Sequence, residues 1–164
     1  MEQKPDIRIK WPHKNTIGKF MGALLVVGLS AGLVLAFTDT QSDWYGGLVR
    51  SPLQPPDWAF SLIWGIQYVD LFFCLFVLSL RNIRGRMLHA SLVNLVLLPL
   101  LHYIFFATRN PVMGMVVLVL TLFYGILMAL YSMGYSKWVA LALVPFLIWV
   151  TFALVLNYTI VMLN

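Results

Sequence analysis

The side chains in this sequence that could do chemistry are mostly aromatic. Phe60, Trp64 and Tyr68 recur every fourth residue in one apolar stretch. At about 100° per helical residue they share a stripe with Gln67 and Leu71. In a later stretch Trp149, Ala153 and Leu156 share a face with Asn157 at its edge, and small Ala153 leaves room beside the indole one turn away. Turned towards each other, two such faces make a mostly aromatic cavity. It would suit a large, flat, apolar ligand with a polar edge, since stacking and burial supply affinity and a few hydrogen bonds supply orientation. The competing reading is ordinary aromatic packing between helices.

Three other groups stand out. Asp70 is the one acid inside an apolar stretch, and an ionisable group there is a functional candidate by default. It lies about 100° from the Trp64 stripe, so a protonated acid bonded to a neighbouring helix is favoured over a transport role. His102 could meet acidic groups on a ligand or bind iron, with a satisfied histidine between helices favoured. His13 and His89 fall at other heights and Cys74 stands alone, so no metal-ligand set is expected and no intrachain disulfide can form. The sequence has no phosphate-binding glycine loop, no paired carboxylates and no serine or cysteine with a base beside it. A conventional hydrolase or nucleotide-driven pump is therefore unsupported.

The elements that must position these residues are written in the composition. Of 164 residues, 61% are hydrophobic and 10% charged, with a mean hydropathy of +0.86, far from the balance of a water-soluble globule. A span needs roughly 20 apolar residues. Five blocks qualify, near Phe20–Phe37, Ala59–Leu80, Met87–Ala107, Pro111–Ser132 and Trp138–Leu163. They lack the alternation of barrel strands. An all-α, five-helix integral membrane protein in a single domain is expected.

The net charge of +5 sits beside spans and points to membrane lipid, not nucleic acid. Lys4, Arg8, Lys10, Lys14, Lys19, Arg81, Arg84, Arg86 and Lys137 fall on one side, Arg50 and Arg109 on the other. By the positive-inside rule the N-terminus is cytoplasmic and the C-terminus opposite. The leader is not a cleavable signal: the first block is long and no Ala-x-Ala site follows it. Gly28-x-x-x-Gly32 is compatible with close helix contact and a homodimer.

Residues 38–58, TDTQSDWYGGLVRSPLQPPDW, make the long connection. Long loops in compact proteins are usually functional or disordered. This one carries Trp44, Tyr45, Leu48, Leu53 and Trp58. An interfacial aromatic belt is one reading. A lid over the bundle is preferred, because Pro52, Pro55 and Pro56 reduce the entropy lost on docking.

This loop and the following span resemble the TspO/MBR family, the tryptophan-rich sensory proteins and mitochondrial translocator proteins. The matching residues are Trp44, Tyr45, Leu48, Arg50, Pro52, Pro55, Pro56, Trp58, Phe60, Trp64 and Tyr68, with departures at Ser51 and Leu53. A second match holds Val144, Pro145, Phe146, Trp149, Phe152, Ala153, Leu156 and Asn157. In the third span Asn94 stands near the family's glutamine, while Leu98 and Leu101 replace its asparagine and tryptophan.

The resemblance implies a pocket for porphyrins, sterols or similar apolar molecules, lined at Tyr45, Trp64, Tyr68, Trp149 and Ala153. Pro55, Phe60, Leu98 and Leu101 are added as ligand contacts. It implies no obligatory cofactor, with porphyrin or haem a possible ligand, and a sensory or tetrapyrrole-handling role. The alternatives are light- and oxygen-dependent porphyrin breakdown, with Trp64 and Trp149 as catalytic candidates, or transport of a small lipophilic substrate.

Overall fold

The computed structural model describes residues 15–80 and 85–164, and it is helical almost throughout. The basic residues Lys4, Arg8, Lys10, Lys14, Arg81 and Arg84, together with His13, lie outside the described residues. In chain order the helices are α1 (Thr16–Phe37), α2 (Asp43–Gly47), α3 (Asp57–Leu80), α4 (Arg86–His102), α5 (Pro111–Met133), α6 (Lys137–Ala142) and α7 (Val144–Leu163). A π-helical turn, Tyr103–Ala107, extends α4. Among the described residues five segments are long and apolar enough to cross a membrane: α1, α3, α4 with its π turn, α5, and α6 with α7. The chain is thus an all-α, multi-pass integral membrane protein.

The fifth span departs from the single helix expected over Trp138–Leu163. It divides at Leu143, because Pro145 has no N–H to give the carbonyl of Leu141 and its ring crowds that turn. Other boundaries follow local chemistry. Gly85 precedes α4 at φ 86°, a conformation that favours glycine. Asn110 caps α5 by accepting from the Met113 N–H at 3.0 Å, with Pro111 in the first turn.

α4 is the most enclosed span, packed between α1 and α5, and α5 in turn packs on α7. Pro99 interrupts α4 and removes the N–H that would bond the Leu95 carbonyl. Ser30 of α1 replaces it: its Oγ donates to the Leu95 oxygen at 2.6 Å. The Ser30 proton is then committed, so the Tyr68 hydroxyl of α3 donates to Ser30 Oγ at 3.1 Å. One proline thereby ties three helices together.

At the end of the bundle away from the long connection, packing is closed. Leu78, Leu80, Met87, Met128, Ser132, Leu143 and Phe146 are fully buried there. Asn94 crosses from α4 to α5, its amide oriented to donate to the Thr121 carbonyl at 3.0 Å and accept from the Gly125 N–H at 3.1 Å.

Candidate functional site

The opposite end is hollow. A cavity of about 480 Å³ lies beneath the long connection, walled by α1, α3, the end of α4, α5 and α7, within the range of small-molecule sites. Phe60, Trp64, Tyr68, His102, Phe105 and Phe106 give it an aromatic interior. Both phenylalanines of the π turn reach it, because the wider turn reorients successive side chains relative to a regular helix. Leu35, Trp58, Ser61 and Gly65 line the cavity and are also exposed on the outside of the bundle, so it opens between α1 and α3.

The connection covers it. α2 forms inside this segment because Ser42 caps it, its Oγ accepting from the Tyr45 N–H at 3.4 Å. That turn drives Tyr45 inward, where it is buried against Phe105 and Phe106, with Trp44 edge-on to Phe105 at 5.5 Å. Arg50 lies over the Tyr45 ring, its Cζ 4.3 Å from the centroid, donates to the Tyr45 carbonyl at 3.3 Å and pairs with Asp57 at 3.6 Å. Gln54 Nε2 donates to the Tyr45 hydroxyl at 3.2 Å. Burial raises the Tyr45 phenol above its ordinary range, and Asp57 adds to this, while Arg50 and the Gln54 bond oppose it. The far edge is held by Asn164: its Oδ1 accepts from the Val49 N–H at 2.9 Å and its Nδ2 donates to the Val49 carbonyl at 3.1 Å.

Of the residues singled out from sequence, Tyr45, Phe60, Trp64, Tyr68, Leu101 and Ala153 line this cavity. Trp149 does not: it sits behind the wall, with ring centroids 5.4 Å from Phe60 and 6.1 Å from Trp64, both edge-on. Leu98 is turned wholly into the core, since the cavity face of α4 falls at Leu101 and His102. Pro55 shapes the connection without reaching the lining, which its neighbours Gln54 and Asp57 do reach. Asp70 stays off the cavity, half-buried, with the Cys74 thiol 4.0 Å from its Oδ1 and, among the described residues, no hydrogen bond to Oδ2. Sequence reasoning gave no lining role to Phe105, Phe106, Thr38 or Ile160. A π turn has no periodic signature, so Phe105 and Phe106 read as two faces of a regular helix.

His102 and Asn157 are buried polar side chains in the wall, and Asn157 Oδ1 has no hydrogen-bond partner among the described residues; the contacts of His102 are aromatic and local. The His102 Nδ1 meets the Leu98 carbonyl at 2.9 Å, while Trp64 lies edge-on at 5.4 Å and Phe106 is stacked at 6.2 Å. The expected bond between helices is thus replaced by one within α4.

The TspO/MBR family model matches residues 20–163. A tryptophan-rich protein TspO from Chlorobaculum tepidum is 30% identical over 154 residues, covering 91% of this chain and 96% of that one. Its counterpart from Archaeoglobus fulgidus is 30% identical over 150 residues, 89% and 97% of the two chains. Protein CrtK from Rhodobacter capsulatus is 29% identical over 131 residues, 74% and 78% of the two. With the match extending from the first span through the lid to the last, the chain belongs to the TspO/MBR family.

Proposed function

We propose that this protein binds a porphyrin or a similarly flat, apolar molecule beneath its lid and serves a sensory or tetrapyrrole-handling role. The observation that carries the reading is the 480 Å³ cavity with Trp64 in its wall and Tyr45 in its lid. Stacking on Trp64, Phe60 and Phe106 supplies affinity. The polar lining groups near the lid, Gln54 and Asp57, suit the polar edge of an amphipathic ligand. An opening between α1 and α3 suits a ligand that arrives through the bilayer. Tryptophan fluorescence of the protein in detergent, titrated with protoporphyrin, is expected to quench saturably. Trp64→Leu should weaken that binding, with a smaller effect from Trp149→Leu, whose ring stands one layer back. Saturable binding untouched by either change refutes the site.

The contact between the Trp64 and Trp149 rings supports a second reading, in which the paired indoles relay electrons during light- and oxygen-dependent breakdown of a bound porphyrin. Illumination of the complex in oxygen tests it: loss of the porphyrin band that Trp149→Phe suppresses supports breakdown, and an unchanged spectrum leaves binding alone.

A further inference from the structure

Two acceptors in the cavity wall have no hydrogen-bond partner among the described residues: Asn157 Oδ1 on α7 and, at the end of α4, the outward nitrogen of His102. The His102 side chain is about nine-tenths buried, at 6% relative exposure, and lines the cavity. A carbonyl only accepts, so Nδ1 is the donor in its bond to Leu98, and in the neutral ring Nε2 is left with the lone pair. Among the described residues no hydrogen bond is made to Nε2. The rings closest to the imidazole are those of Trp64 and Phe106. Nearby hydroxyl protons are already placed, that of Tyr68 on Ser30 and that of Thr38 on the Val34 carbonyl.

We propose that His102 Nε2 is the recognition point for a hydrogen-bond donor, so that the cavity selects a flat apolar ligand with an O–H or N–H at its buried end. The inference rests on the binding function above and narrows its ligand class. Water satisfies Nε2 when the cavity is empty. A ligand that displaces this water keeps the bond if it brings a donor and forfeits it if it brings an ether or carbonyl oxygen. A carboxylate end is excluded from this depth for the same reason.

The test uses pyrene, 1-hydroxypyrene, 1-aminopyrene and 1-methoxypyrene as probes for the full chain in lipid nanodiscs. Tryptophan-to-pyrene energy transfer is the readout, with empty nanodiscs subtracted. Hydroxypyrene and aminopyrene are expected to saturate at concentrations about tenfold below methoxypyrene. His102→Phe should erase that ratio while pyrene itself still binds, and His102→Gln, whose amide oxygen can accept, should restore part of it. Equal affinity of hydroxypyrene and methoxypyrene for the unmodified protein, or a preference that survives His102→Phe with pyrene binding intact, overturns the proposal. If His102→Phe misfolds and loses pyrene as well, the ratio in the unmodified protein decides. Saturable pyrene binding with no donor preference removes this inference and leaves the cavity's function standing. Absence of saturable binding by all four probes removes both.

Discussion

The two ends of this bundle are built from the same helices, yet one is solid and the other hollow. At the closed end methionines, leucines and small hydroxyls pack around the buried ring of Phe146. Ser91 Oγ lies 3.0 Å from Met128 Sδ, and Ser132 Oγ lies 3.8 Å from Met87 Sδ. Unbranched, adaptable side chains fill irregular gaps, and serine protons return to the preceding turn or rest on sulfur. At the lid end the inward residues are indole, phenol, imidazole and phenyl rings beside Ala31, Gly65 and Ala153. Rigid plates interleaved with very small residues cannot close on one another, and space remains. Spans of similar hydropathy thus become scaffold or receptor according to the shapes they carry.

The largest expected effect would break the solid end. Phe146 is wholly buried at the start of α7, and a methyl added at Gly125 would come within 3.0 Å of its ring. Phe146→Ala should cost about 3 kcal/mol or more of stability, as cavity-forming core changes do. Unfolding in mixed micelles measures this. The fraction still folded should bind pyrene with unchanged affinity. A matching loss of affinity would show that the two ends do not act separately.

Ser30 sits where the two ends meet, and its loss should be smaller and felt at both. Ser30→Ala leaves the Leu95 carbonyl without a donor beside Pro99 and the Tyr68 hydroxyl without an acceptor. About 1–2 kcal/mol of stability should be lost, towards the lower figure if lipid-phase partners compensate. Because Tyr68 also lines the cavity, affinity should fall too. Ser30→Thr, which keeps the hydroxyl, should recover most of both. Stability lost without any change in binding would mean that the Tyr68 ring holds its place unaided.

How much of this contrast is legible in the sequence differs between the ends. Hydropathy and length mark five spans, and the period of four marks Phe60, Trp64 and Tyr68 as one face, because both signals are local. The aromatic lid is visible as well, since Trp44 and Tyr45 are too apolar for a free loop. What stays hidden depends on rotation about each helix axis and on height along it. Leu98 and Leu101 are one turn apart, yet Leu101 reaches the cavity and Leu98 lies in the core. Trp149 shares a stripe with Ala153, but it sits one turn nearer the closed end, where Phe60 and Trp64 pack against its indole and it does not reach the lining. The Ser30 bond to Leu95 is foreshadowed only in part: Pro99 announces an orphan carbonyl without naming its donor.

A milder change would sharpen the comparison at the lid itself. Asn164 brackets Val49 through both its amide atoms, across 115 residues of sequence. These bonds are exposed, so Asn164→Ala should cost no more than about 1 kcal/mol. Exchange of the Val49 amide hydrogen should quicken, and ligand should leave a few-fold faster with little change in its rate of entry. Unchanged exchange at Val49 would show that Tyr45 and Trp44 alone hold the lid.

The smallest effect is one that neutral conditions conceal. Tyr45 is anchored through its ring and hydroxyl, and burial raises its phenol above the ordinary value near 10. A raised value means that the docked lid holds the proton more tightly than the undocked one. Docking is therefore undiminished below pH 10 and is lost as pH climbs through the raised value. Asp57 opposes the phenolate, whereas Arg50 and Gln54 favour it, so burial decides the sign. Tyr45→Phe removes the group that titrates and forfeits only the bond from Gln54. At neutral pH this variant should bind ligand nearly as well as the unmodified protein. Above pH 10 it should outlast the unmodified protein, with lid docking followed by exchange at Val49 after brief alkaline pulses. The far end gives an internal control, because Phe146 and Met128 have no ionisable group to lose. Unfolding there in step with the lid would mean that alkali acts on the whole bundle and not on Tyr45.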